Sequence, residues 1–196
     1  MENRVALIIG GGGDPLAEYV AALKLCAAAE KQWVVFACND MIEDFPNHID
    51  HAVTLHPEKL GIWLPRRAAK GLPPPGDVWA HTMYSGVNQW TRDWLGSVGL
   101  FGVKLAREEG FTKIIGCGVH MTMEGNHYRR PTKEWDAALG FQRGWRGHHR
   151  EIAPFFRSAF GWTRDTYGAP DLAWLLANTP DPHPLSKSRR NYGTRA

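Results

Sequence analysis

The run Val5-Ala6-Leu7-Ile8-Ile9, followed at once by Gly10-Gly11-Gly12-Gly13-Asp14-Pro15, decides the fold of this chain. Five consecutive apolar residues, three of them β-branched, predict a strand that is buried on both faces. The glycines predict a tight turn whose backbone can approach a ligand closely. Asp14 suits the N-cap of a helix and Pro15 suits its first position, and the stretch 16–30 continues that helix. Together these features predict the opening unit of an α/β protein.

The same turn predicts a ligand site, because free N–H groups and the helix dipole converge where a strand leads through glycines into a helix. We expect a nucleotide or another phosphorylated ligand there, held by Gly11, Gly12, Gly13 and Asp14. Valine at Gly12 would then fill the phosphate position and abolish binding without disturbing the fold. Pro15 stands at the third glycine of a dinucleotide fingerprint, and the G-K-[ST] of a P-loop is missing. The alternative is a tight turn that binds nothing.

Further strands alternate with helices along the chain. Strands are predicted over 33–38, 51–55, 77–82 and 111–119, and helices over 59–70, 100–109, 133–140, 150–160 and 171–177. The alternation predicts an α/β, Rossmann-like fold, with a mostly parallel sheet and helices on both faces. We expect a single domain over 1–178 with an irregular loop near 121–131, followed by a flexible tail over 179–196.

Composition narrows the functional class. A chain of 196 residues with 43% hydrophobic and 22% charged residues is typical of one globular domain. The net charge of +3 is small for this length, so no strong nucleic-acid signal is present. The three cysteines are odd in number and widely spaced, which favours reduced thiols and a cytoplasmic protein. No stretch approaches 18 apolar residues, so no membrane span is expected, and a homo-oligomer is left open.

Polar residues follow the predicted strands. In a doubly wound sheet the carboxyl ends of the strands meet at one edge, so these residues are expected to line one crevice. They are Asn39, Asp40, His56, Glu58, His81 and His120.

Three kinds of chemistry are open at this edge. His56, Glu58 and His120, with His127, have donor atoms that suit zinc, manganese or iron, although no H-E-x-x-H spacing supports a metal, and polar strand caps are the alternative. A nucleophile is not favoured, because no G-x-S-x-G elbow surrounds Ser97 and Cys117 has no evident activating partner.

A histidine acting as general acid or base is the third kind of chemistry, and His127, His148 and His149 are its candidates. Arginines at 143, 146 and 150 could hold a phosphate beside the last two. The alternative for that stretch is a solvated basic start of a helix.

Several of these motifs occur in the same order in a known family. The opening Ile8-Ile9-Gly10-Gly11-Gly12-Gly13-Asp14-Pro15-Leu16 resembles that of the bacterial CMP-sialic-acid-dependent sialyltransferases and of the related archaeal 6-hydroxymethylpterin diphosphokinase-like domain. Cys38-Asn39-Asp40 and Gly96-Ser97-Val98-Gly99, with the strand ending at His120, are similar to later sialyltransferase motifs. The family's Asn-Gly-Pro-Ser is replaced here by Gly-Gly-Asp-Pro, and its acidic strand end by His120. The chain also resembles small proteins encoded in phage and prophage genomes.

The resemblance implies a nucleotide-binding transferase that moves a group, most readily a glycosyl group, from a CMP-sugar-like donor without a required metal. Asn39 would then contact the nucleotide, Ser97 or Gly99 would support the donor, and His148 or His149 would act as the base. Asp40, beside Asn39 at the same strand end, is a further candidate for binding the nucleotide. One alternative is a nucleotide-sequestering protein without turnover. Another is a metal-dependent phosphohydrolase or diphosphokinase that uses the histidines and the carboxylate at the strand ends.

Overall fold

The computed structural model describes residues 3–124, 127–130 and 134–178. Their strands form one seven-stranded sheet in the order β5-β4-β3-β2-β1-β6-β7, and every pair of neighbours is parallel. The predicted Rossmann-like α/β fold is therefore confirmed. The strands are β1 Arg4–Ile9, β2 Gln32–Cys38, β3 His51–Thr54, β4 Asp77–Ala80, β5 Gln89–Trp90, β6 Ile114–Cys117 and β7 Phe156–Ser158.

Helices cover both faces of this sheet. The α-helices are α1 Pro15–Ala28, α2 Met41–Asp44, α3 Leu60–Ala69, α4 Val98–Glu108, α5 Ala138–Gly147, α6 His149–Ile152, α7 Gly161–Tyr167 and α8 Leu172–Leu176, and a 3₁₀ turn spans Pro57–Lys59. None of the helices in the described ranges is long and apolar enough to cross a membrane.

Strand β1 contributes side chains to the cores on both faces of the sheet, which explains its unbroken apolar run. Val5, Leu7 and Ile9 point to the face covered by α1, α2, α3 and α8, whereas Ala6 and Ile8 point to the face covered by α4, α5 and α7. Successive side chains of a strand alternate between faces, so a strand covered on both sides has no position for a polar residue. All five residues are fully buried.

The helix predicted over 150–160 is wrong after residue 152, and the helix predicted over 133–140 overlaps α5, Ala138–Gly147, only at its last three residues. Helix α6 ends at Ile152, and the chain then forms β7, which pairs with β6 through Ile114 opposite Phe156. Pro154 has no N–H to continue a helix, and burial of Phe156 against the core favours the strand. The two-residue β5 and helix α7 were not predicted. The expected tail over 179–196 lies outside the described residues, as do 125–126 and 131–133 within or beside the expected loop.

Candidate functional site

The order in which the chain adds strands to the sheet reverses next to β1. The chain adds β2 to β5 on one side of β1 and then returns through α4 to place β6 on the other side. Ligands of open α/β sheets bind at the carboxyl ends of the strands beside such a switch point. A cavity of about 680 Å³ opens there. We therefore treat this cavity as the candidate site.

The cavity brings together many of the residues predicted at strand ends and loops. Those that line it are Gly10, Gly11, Gly12, Asn39, Asp40, His56, Ser97, Gly99, His120 and His127. Predicted residues that are not part of the lining are Gly13, Asp14, Glu58, His81, His148 and His149.

The glycine run is explained by close packing of two other loops against it. A Cβ at Gly10 would lie 2.4 Å from the carbonyl oxygen of Gly118, and one at Gly13 would lie 2.2 Å from His120 Cε1. A Cβ at Gly11 would lie 2.9 Å from His127 Nε2. The N–H groups of Gly10 and Gly12 donate to the carbonyls of Cys117 and Gly118, each at 2.8 Å. The expectation that the run's N–H groups stand free for an anion is therefore wrong for two of them.

Two further expectations about this turn change with the structure. Asp14 caps α1 itself, because its Oδ1 accepts the N–H of Ala17 at 3.0 Å, and it does not line the cavity. A Cβ at Gly12 would lie 2.9 Å from the Gly118 oxygen, so valine there would disturb the backbone between β1 and β6. The expectation that this substitution spares the fold is wrong.

Helix α4, instead of α1, presents its N-terminus to the cavity. Ser97 is the N-cap, and its Oγ accepts the N–H of Leu100 at 3.3 Å and the indole N–H of Trp145 at 3.1 Å. The turn 96–99 lines the cavity. Because the helix dipole places partial positive charge at this end, an anionic group in the cavity is stabilised here.

Asn39 and Asp40 place an amide and a carboxylate in the cavity directly after β2. Asn39 adopts a φ of +50°, and its Oδ1 accepts the hydroxyl of Thr54 at 2.9 Å. Since the oxygen is engaged, the amide nitrogen is the end that can bind a ligand. The Asp40 carboxylate lies 3.5 Å from both His127 Nε2 and Arg129 Nη1. The Asp40 carboxylate can accept hydrogen bonds from hydroxyls such as those of a ribose, and the Asn39 amide nitrogen can donate hydrogen bonds to them.

His127 is held as a hydrogen-bond donor. The backbone N–H of Arg129 donates to its Nδ1 at 3.2 Å, which leaves the proton of the neutral ring on Nε2, towards Asp40. Burial lowers the pKa of His127 below its usual value, and the nearby Asp40 carboxylate opposes this only in part. The ring is therefore neutral at pH 7 and has no free lone pair with which to act as a base.

The other predicted bases lie elsewhere. His148 stacks on Trp94 with ring centroids 4.3 Å apart, and His149 stacks on Tyr167 at 5.1 Å. Both sit at the junction of α5 and α6, away from the cavity lining. Their contacts in this structure are packing contacts.

Among the residues that the structure describes, three cationic side chains line the cavity: Lys59, Arg129 and Arg130. Arg129 is held by the carboxylates of Asp44 and Glu43, and by Asp40. Burial would raise the pKa of Asp44, but hydrogen bonds from Lys70, Tyr128 and Arg129 outweigh this effect and lower it to about 2. Arg129 therefore anchors the loop 127–130 to α2. Of these three side chains, Lys59 and Arg130 are not engaged in this cluster.

The metal site is not supported by the structure. His56 pairs with Glu58 at 3.2 Å, and His120 pairs with Glu18 at 2.5 Å. Within the described ranges, no group of three His, Cys, Asp or Glu side chains could hold a metal ion. The sequence pattern indicates His56, Glu58 and His120 together as candidate metal ligands at the strand ends. The structure does not bring the three together, because Glu58 lies outside the cavity that His56 and His120 line.

Sequence reasoning missed Glu18 and Lys59. Glu18 lies in the first turn of α1, which begins at the same sheet edge as the end of β6. Its partner is 102 residues away, so no local spacing connects them. Lys59 follows the strand-end residue His56 by three positions, and the 3₁₀ turn brings both into the cavity.

Comparison of the chain with known protein families, with curated proteins and with solved structures gave no match.

Proposed function

We propose that this protein binds a nucleotide in the cavity beside β1. The observation that carries the proposal is that one cavity is lined by the groups that each part of a nucleotide requires. The N-terminus of α4 and Lys59 suit a phosphate, and the Asn39–Asp40 pair suits the hydroxyls of a ribose. Trp135 and Phe141 add aromatic rings, 5.1 Å apart, on which a base can stack.

The nucleotide is further proposed to be an activated donor, as the resemblance to CMP-sugar-dependent transferases implies. A transfer of this kind needs the donor to be positioned and the leaving phosphate to be stabilised, more than it needs a covalent nucleophile. Lys59 and the dipole of α4 supply that stabilisation, and the transferred group is most readily a glycosyl group.

A second candidate function is nucleotide binding without turnover. The observation that favours it is the position of the predicted bases. His148 and His149 pack against aromatic rings outside the cavity, and His127 is held as a donor. Release of nucleotide from a nucleotide sugar distinguishes the two functions, since a sequestering protein binds the donor and leaves it intact.

Lys59→Met is expected to weaken nucleotide binding about tenfold, because a charge-assisted hydrogen bond from an ammonium to a phosphate contributes roughly 1.4 kcal/mol. Isothermal titration calorimetry with CMP, UDP and ADP measures this effect. Lys24→Met is the matched control, since Lys24 is exposed on α1 and does not line the cavity. Equal affinity in the two variants, or no binding of any of the three nucleotides to the unaltered protein, would contradict the proposed site.

A further inference from the structure

A carboxylate–imidazole pair lies in the wall of the cavity. His120 Nε2 is 2.5 Å from Glu18 Oε1, and the other oxygen of Glu18 accepts the backbone N–H of Gly118 at 2.8 Å. The side chains of His120 and Glu18 are 5% and 15% exposed, and His120 is part of the cavity lining. The pair therefore joins the first turn of α1 to the end of β6 at the switch point.

These contacts fix which nitrogen of His120 can take up a proton. A carboxylate only accepts hydrogen bonds, so the short contact requires the proton of the neutral ring to lie on Nε2. Nδ1 then carries the lone pair. The carboxylate also stabilises the ring once it is protonated, which is the function of the orienting acid in a catalytic carboxylate–histidine pair.

The glycine run makes room for this ring. A Cβ at Gly12 would lie 3.2 Å from His120 Cγ, and a Cβ at Gly13 would lie 2.9 Å from Nδ1. The Phe160 ring also packs against the imidazole, with its centroid 5.1 Å from that of His120. Any side chain at 13 would displace the imidazole, so glycine is required at this position for the His120 ring to fit.

We propose that His120, oriented by Glu18, accepts the proton of the acceptor hydroxyl during group transfer. The inference rests on the proposed function. The acceptor oxygen forms a bond to the donor's anomeric carbon while the bond from that carbon to the phosphate oxygen breaks, and the nucleotide leaves with the electron pair. The hydroxyl proton passes to Nδ1 of His120, and the resulting imidazolium faces the Glu18 carboxylate until it releases the proton to water. Water can replace the alcohol as acceptor.

The test is Glu18→Gln, which keeps the size of the side chain and its hydrogen bond to Gly118. The new amide donates to His120 Nε2 and so moves the ring proton to Nδ1, where it blocks proton uptake. Release of nucleotide from CMP-N-acetylneuraminate, UDP-glucose and ADP-glucose, with water as acceptor, is expected to fall by about 10²-fold or more, while affinity for CMP, UDP or ADP changes less than about threefold. Glu30→Gln, beyond the far end of α1, is the control and is expected to behave as the unaltered protein.

Nitrogen-15 NMR of the histidine rings checks that the substitution moves the ring proton, whereas the fall in release at nearly unchanged affinity is the readout that a purely structural role would not give. His120 is expected to have an unprotonated Nδ1 in the unaltered protein and a protonated Nδ1 in the variant. If the protein binds nucleotide and the Glu18→Gln variant cleaves nucleotide from the nucleotide sugar as fast as the unaltered protein, the proposed role of the Glu18–His120 pair is overturned and the proposed binding site stands. Binding without release in the unaltered protein overturns the pairing and favours sequestration. If no nucleotide binds, the proposed function fails, and the role of His120 fails with it.

Discussion

Arg67→Met is expected to lower the free energy of unfolding by about 3–5 kcal/mol, a large part of the stability of a domain of this size. Arg67 is 1% exposed, although it lies in a helix that reads as amphipathic and basic. Its guanidinium donates to four backbone carbonyls, those of Pro73 at 2.6 Å, Ile42 at 3.3 Å, and Phe45 and Asn47 both at 2.7 Å. Methionine fills a similar volume but leaves these acceptors without their donor.

Arg66→Met is the matched control for this effect. Arg66 is the preceding residue of α3, its side chain is 62% exposed, and it lies 3.6 Å from Glu43. An exposed ion pair of this kind contributes less than about 1 kcal/mol. Urea denaturation of the two variants and the unaltered protein measures the difference. Similar midpoints for the two variants would show that Arg67 does not hold α2 and its following turn in place.

Gly118→Ala is expected to lower the free energy of unfolding by at least about 3 kcal/mol. Gly118 has a φ of +69°, and a Cβ there would lie 2.4 Å from the carbonyl oxygen of Gly10 and 2.8 Å from Pro15 Cβ. The clash is with the backbone at the end of β1, which cannot move without breaking its pairing with β6. Both the left-handed conformation and the close contact therefore oppose a side chain.

Gly71→Ala separates these two causes. Gly71 has nearly the same φ, +70°, but no atom lies within 4 Å of its ideal Cβ position. Alanine there has only the conformational cost of about 1–2 kcal/mol. Thermal and urea denaturation of the two alanine variants should differ by the cost of the contact with Gly10. Equal loss in both would mean that the turns after β1 and β6 are less tightly packed than the structure indicates.

The sequence was sufficient to predict elements whose pattern is local. The apolar run of β1 and the Asp-Pro start of α1 each carry their own signal, and both occur at the predicted positions. The strand β7 was missed because its length is three residues and its partner β6 lies about 40 residues earlier. Its signal, two phenylalanines after a proline, fits a helix end as well as a strand.

The sequence predicted which residues of the candidate site lie at strand ends, but not which of them are already bonded to residues distant in the sequence. The topology of a parallel sheet brings Asn39, Asp40 and His120 to one edge, so a list of strand ends finds them. Which polar groups are already satisfied depends on distant partners. The glycine N–H groups bind the backbone after β6, and His120 binds Glu18 of α1. No periodicity in the chain indicates either contact.

The most direct test of nucleotide binding at the switch point is the change in backbone amide signals in a ¹H–¹⁵N correlation spectrum as CMP, UDP or ADP is added. The signals of Gly11, Asn39 and Gly99 are expected to shift together and to saturate with one dissociation constant, since all three residues line one cavity. The signal of Gly71, on the loop after α3, should stay in place. Saturating nucleotide that leaves the three signals unchanged, or that shifts only signals outside the cavity, would contradict the account.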